Sequence, residues 1–204
     1  MILVSSSVLS LYRFLETLSH HPRKEVSPMK RKLYILLTRF PGLDAKALSY
    51  YTRFPYSHAS VGLEEDTNTF YSFVVKGFIV EDIARYCKPD RPPFPCALYE
   101  LEVSQTTYDR GKDLLQNFVK HRSTLRYSYW GLLLSLIHIP TRWRGRYFCS
   151  QFVAEVLQRC HATRLKKSST LYLPKDLHRL SDLKLVFQGD LLSMTEAYPS
   201  PAGA

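Results

Sequence analysis

Long apolar runs are missing from this sequence, and so are the short motifs that announce a bound metal or phosphate. The best candidate run, Trp130-Gly131-Leu132-Leu133-Leu134-Ser135-Leu136-Ile137, falls well short of the about 20 residues a membrane-spanning helix needs. It carries His138 behind it and is expected to be a core helix, with a lipid-facing surface as the competing account. There is no glycine-rich phosphate loop, no HExxH pair and no internal repeat. Basic residues are not interleaved with aromatics as in a nucleic-acid motif, so no specific nucleic-acid partner is expected. The four cysteines, at 87, 96, 149 and 160, form no CxxC and no metal spacing. Cys87 and Cys96 flank a proline-rich loop and could approach one another, but free thiols in a reducing, cytoplasmic compartment are the expectation. His138 and His161 lack partners at ligand spacing, so neither a metal nor a cofactor is expected. Acid is the scarce charge: 18 Asp and Glu stand against 28 Lys and Arg, a net charge of +10. That balance serves solubility, or contact with an anionic surface or acidic substrate.

What remains is an ordinary globular composition, 45% hydrophobic and 23% charged over 204 residues, enough for one domain with a full core. Its organising stretch is Arg146-Tyr147-Phe148-Cys149-Ser150-Gln151-Phe152-Val153-Ala154-Glu155-Val156-Leu157. Apolar residues at 149, 152, 153, 156, 157 and 160 predict an amphipathic helix buried along one face. Cys149 falls in its first turn, where unpaired backbone N–H groups and the helix dipole favour thiolate. Most buried cysteines are only small core residues. A histidine upstream changes the weighing: His58-Ala59-Ser60-Val61-Gly62-Leu63 predicts a buried strand, closed by the acidic turn Glu64-Glu65-Asp66. A second strand follows from Thr69 to Val75. Histidine on a strand and cysteine opening a helix make a nucleophile–base pair conceivable.

The order YSHASVGLEED, FYSF, GFIVED, YFCSQFVAEVL, LPKDL resembles the circularly permuted NlpC-type branch of the papain-like cysteine hydrolases. It is most similar to the YiiX/YaeF-like bacterial proteins, and distantly to the lecithin:retinol acyltransferase group. The resemblance spans about Met29 to Leu180. It departs from the pattern before Gly77, where a longer insertion is usual, and at Val74, where a glycine is usual. It implies an α+β permuted papain-like fold, with an antiparallel sheet packed against the cysteine-bearing helix. It also implies a thiol hydrolase of amidase or peptidase type, with Cys149 as nucleophile and His58 as base. The substrate would be a small molecule, a peptide or a lipid; acyltransferase or thioesterase chemistry on lipids is the alternative. An idle basic binding module is the non-enzymatic one. The resemblance places the residue that orients His58 on the next strand, where Ser72 falls. Ser72 as an ordinary strand serine, or Glu64 in the orienting role, stay open.

Around this core the chain divides into a dispensable extension (1–28), the catalytic domain (29–190) and a flexible tail (191–204). Met29 is a candidate start, and residues 1–18 a candidate amphipathic anchor. Leu33 to Thr38 predicts a strand, Pro41-Gly42 a turn, and Asp44 a cap for a helix to about Thr52 with Ala47, Leu48 and Tyr51 on one face. Lys88 to Pro95 predicts a loop. Ala97 to Val103 predicts a strand with one wet face. Ser104 or Thr106 caps a helix to about His121, with Leu114, Leu115, Phe118 and Val119 inward. Arg142, Arg144 and Arg146 form either a solvated loop or an anion-binding rim.

Overall fold

A computed structural model describes residues 29–40, 43–87 and 94–200, with the side chains of 43–45 also outside the description. The expectations for residues 1–28, the Pro41-Gly42 turn, the Asp44 cap, most of the 88–95 loop and the last four residues of the tail lie outside the described residues. The rest is an α+β arrangement. Eight strands are β1 (Lys30–Thr38), β2 (His58–Leu63), β3 (Asp66–Val74), β4 (Gly77–Asp82), β5 (Pro95–Ser104), β6 (Arg126–Tyr127), β7 (Arg146–Tyr147) and β8 (Lys184–Asp190). Six helices are α1 (Leu43–Thr52), α2 (Gln105–Lys120), α3 (Tyr129–Leu136), α4 (Cys149–Arg159), α5 (Pro174–Leu177) and α6 (Leu191–Ala197). The main sheet has six strands in the order β4-β3-β2-β1-β5-β8, every neighbouring pair antiparallel.

The central place of β1 and β2 follows from their residues. Val61, Ala59, Ile35 and Leu37 all point to one face, where they meet Phe152, Val153 and Leu157 of α4. The opposite face of the sheet carries Tyr34 and Leu36 of β1, Phe70 of β3 and Leu98 of β5, covered by Ile83, Leu191 and Met194. A strand buried on both faces has no wet side, and all six residues of β2 are buried. Gly77, which opens β4, has φ +109° and a Cβ there would stand 2.7 Å from the Leu125 carbonyl. Any other residue would strain the turn that launches this strand.

Three expectations are corrected. Residues 96 to 99 of β5 are buried without alternation, while 99 to 103 alternate as expected with Glu102 exposed; α6 and the turn at Ile83–Tyr86 cover the expected wet face at Leu98. Residues 191–200, expected as a flexible tail, instead carry α6. Asp190 caps it by accepting from Ser193 N at 3.1 Å, Leu191 and Met194 are buried, and the Tyr198 hydroxyl donates to the Val186 carbonyl at 3.0 Å. The third concerns α3. Its Trp130 and Leu133 are exposed, as is Ile137 beyond it, while Gly131 and Ser135 turn inward. Leu132, Leu134 and Leu136 are half-buried, so the expected core helix is a surface helix with one apolar side outside. By contrast α2 forms as expected, Ser104 accepting from Thr107 N and Leu115 and Phe118 buried, with Leu114 and Val119 packed partly against them.

Candidate active site

The site is assembled by three elements. His58 opens β2, held there by Thr38 opposite it on β1 and by Ser57 N donating to the Thr38 carbonyl at 3.0 Å. Cys149 is the first residue of α4. Its N-cap, Phe148, is extended and offers no side-chain acceptor, so the first N–H groups of the helix are left to other acceptors. Helix α4 itself is buried over Cys149 to Leu157, not along one face only. The 169–171 turn and α5 pack on the side away from the sheet, and Glu155 there is met by Arg142 at 3.2 Å. A buried carboxylate thus ties the arginine-rich segment before Cys149 to the helix that carries the thiol. Arg142 is in this respect a structural partner, while Arg144 and Arg146 make no ion pair with a described residue.

His58 and Cys149 line the same cleft, and both are buried. His58 Nε2 lies 2.8 Å from Glu81 Oε1. With Nε2 engaged there, Nδ1 is the nitrogen free to take the thiol proton. Phe40 packs edge-on against the imidazole at 5.1 Å between ring centroids.

Glu81 is the residue that sequence reasoning passed over. It sits on β4, two strands from β2, and the search for an orienting group stopped at the next strand. The register explains how it reaches. Val61 pairs with Tyr71 and Phe70 with Glu81, so His58, Ser60, Ser72 and Glu81 share one face of the sheet. The residues between the two long side chains are serines, which leave room for them to meet across β3. The signal was an acid placed directly after the apolar run Phe78-Ile79-Val80 and before Asp82, since a carboxylate taken into a sheet needs a partner.

Ser72 does not hold the imidazole. Its hydroxyl donates to the Ala59 carbonyl at 2.6 Å, satisfying the backbone of the histidine strand. Glu64 is engaged elsewhere, by Arg31 and by Lys32 N at 2.7 Å.

Electrostatics separate Cys149 from the other thiols. Burial opposes its ionisation, but the hydrogen bond and charge of His58, with the N–H groups of Ala59 and Ser150, override it and bring the thiol below its ordinary value. Burial pushes Cys87 and Cys160 up, and Cys96 up to about 12. For His58, burial works against the charged form, and the Glu81 carboxylate and the thiolate together outweigh it and raise the imidazole above its ordinary value. All four cysteines are free.

Beside the pair lies a cleft of about 240 Å³, walled by Phe40, Leu48, Phe73, Val74 and Leu132 with Cys149 and His58 at its base. It is smaller than the roughly 300–1,000 Å³ of pockets that swallow a whole ligand, so it accommodates a group at the thiol while the remainder of a larger molecule stays outside. Among the described residues no set of His, Cys, Asp and Glu could hold a metal ion, and no helix is long and apolar enough to cross a membrane. No protein-family model matches this chain, and no curated protein matches it.

Proposed function

We propose that the protein is a thiol hydrolase of the permuted papain-like, NlpC type, acting through Cys149, His58 and Glu81. The observation that carries this reading is a helix-terminal thiol and a buried histidine lining one cleft, with the histidine hydrogen-bonded at 2.8 Å to a buried carboxylate. Cys149 transfers its proton to His58, and the thiolate attacks the substrate carbonyl carbon. N–H groups at the start of α4 stand next to the oxygen that takes up the electron pair. Collapse of the tetrahedral adduct breaks the bond to the leaving group, which His58 protonates, and a thioester remains on Cys149. Water then gives a proton to His58, attacks the thioester carbonyl and releases the acid, restoring the thiol. Glu81 holds the ring in place and stabilises the imidazolium. It takes the orienting role that the sequence had suggested for Ser72.

Amide, ester and thioester substrates all fit this chemistry. The apolar cleft wall favours an apolar acyl group beside the thiol, which supports acyl ester or thioester cleavage, or transfer to another nucleophile, as the second reading. The test begins with the thiol itself. Iodoacetamide at about pH 6 is expected to alkylate Cys149 well before Cys87, Cys96 or Cys160, and His58→Ala to slow that labelling with the fold intact. A panel of acyl, amide and thioester substrates then identifies the bond, with Cys149→Ala as the blank. If mass spectrometry finds Cys149 no more reactive than Cys87, the hydrolase reading fails and an idle binding module takes its place.

A further inference from the structure

Beyond the chemistry of the thiol, we infer that the outward face of α3 and the segment after it form a docking surface for an anionic lipid bilayer. The helix presents large apolar residues to solvent. Trp130 is 71% exposed, Leu133 52% and Ile137 61%, while its fully buried positions are Gly131 and Ser135. Gly131 makes room for the helix's own cap, since a Cβ would stand 2.5 Å from Ser128 Oγ. Leu132, Leu134 and Leu136 are half-buried, and the tryptophan and Leu133 are left in water. Exposed apolar groups scattered singly need no account, but a contiguous set does. The patch continues through exposed Ile139 and Trp143 and across to α1, where exposed Tyr51 donates its hydroxyl to the Leu136 carbonyl at 3.1 Å.

Charge selects the occupant. Between Asp113 and Glu155 the sequence has no acidic residue, and over that span it carries Lys120, Arg122, Arg126, Arg142, Arg144 and Arg146. Arg146 lies with Trp130, Trp143 and Tyr129 around a surface hollow of about 410 Å³, and neither it nor Arg144 pairs with a described carboxylate. Tryptophan, tyrosine, leucine and isoleucine rimmed by unpaired arginine is the composition of segments that lie in a bilayer interface. A second copy of this chain would set Arg144 and Arg146 against their like, with no acid from the same segment to meet them. At eight residues the helix is too short to cross a bilayer and suits lying on one. Leu132 of the same helix walls the cleft over Cys149, so docking by this face brings the mouth of the site to the membrane.

The two tryptophans of the whole sequence are Trp130 and Trp143, so selectively excited tryptophan emission reports on this patch alone. The full chain is mixed with vesicles of phosphatidylcholine, with or without roughly one third phosphatidylglycerol. The expected result is flotation with the anionic vesicles, a blue shift of the emission, and binding to the neutral vesicles roughly tenfold weaker. The double variant Trp130→Ser/Leu133→Ser loses about tenfold or more of the binding, and Arg144→Glu/Arg146→Glu loses a similar factor on anionic vesicles only. Both variants keep the wild-type rate of Cys149 alkylation, which shows that they fold. Cys149→Ser binds vesicles as wild type does, which separates docking from the hydrolase reading. Absence of flotation at low salt, or binding unchanged in the Trp130/Leu133 variant, overturns the proposal. So does a dimer in solution that this variant converts to monomer, since the face would then be a subunit interface.

Discussion

Helices α3 and α4 flank the same cleft, and each sits where its composition argues against. Of the eleven residues of α4, Ser150, Gln151, Glu155, Gln158 and Arg159 are polar, yet it is buried from Cys149 to Leu157. In α3 the small residues face in and the tryptophan and a leucine face out. Amphipathic patterning describes a helix with one neighbour and one solvent. Helix α4 has neighbours all round, so even its polar residues are buried, and Glu155 among them is met by Arg142. Helix α3 has a neighbour on one side only, so Trp130 and Leu133 are left in solvent. The buried helix carries the thiol, and the exposed apolar helix presents a surface.

Replacing one large residue in the helix that has neighbours on all sides is expected to have the largest effect. Phe152 packs edge-on to Phe118 and Phe78 at 4.9 and 5.6 Å and lies 5.2 Å from Phe73. Phe152→Ala removes a ring at the joint of α4, α2 and the sheet, and should cost about 3–5 kcal/mol in urea denaturation. A loss below about 1 kcal/mol would mean that α4 is not the packed centre described here.

The next effect falls on the site. Because the Glu81 carboxylate raises the affinity of His58 for its proton, Glu81→Gln lowers it. Thiolate and imidazolium coexist from the depressed value of the thiol up to the elevated value of the imidazole. Removing the carboxylate pulls in the alkaline end of that window, so the fall of activity at high pH moves to lower pH. Turnover at neutral pH should drop roughly a hundredfold. Ser72→Ala, which loses a bond to the Ala59 carbonyl, should leave the pH profile where it is and cost about 1 kcal/mol of stability instead. If Ser72→Ala moved the profile and Glu81→Gln did not, the assignment of the third residue would revert to Ser72.

Much of this was legible without coordinates, and the exceptions share a cause. Strand β2, helix α2 with its Ser104 cap and helix α4 with Cys149 at its start are set by local signals: an apolar run, a capping hydroxyl, a 3.6-residue period. So was the meeting of Cys149 and His58 in one cleft, because each stood in a distinctive local setting. Glu81 was missed because its partner lies two strands away and the register joining them is a property of the whole sheet. The wet face expected of β5 failed at Leu98, and the inward face expected of α3 failed at Trp130 and Leu133, for the same reason. A hydrophobic pattern states that a residue would gain from cover, not what provides it. The tail was misjudged by its prolines, although Asp190 followed by Leu191 and Met194 held the pattern of a capped helix with a buried side.

The smallest expected effect belongs to Trp130→Ala, and its smallness is what makes it informative. Residue 130 lies in the first turn of α3, after the Ser128 cap that accepts from Gly131 N at 3.3 Å, and its ring is largely in water. Alanine is the best helix former, so the exchange gives back in propensity part of what it loses in contacts with its neighbours. Stability should change by no more than about 0.5 kcal/mol, against several for Phe152 in the neighbouring helix. A tryptophan whose removal costs the fold nothing is not held there by the fold. If instead the variant lost about 2 kcal/mol or more in urea, Trp130 would be a core residue in solution, the contrast between α3 and α4 would close, and the docking face would lose its centre.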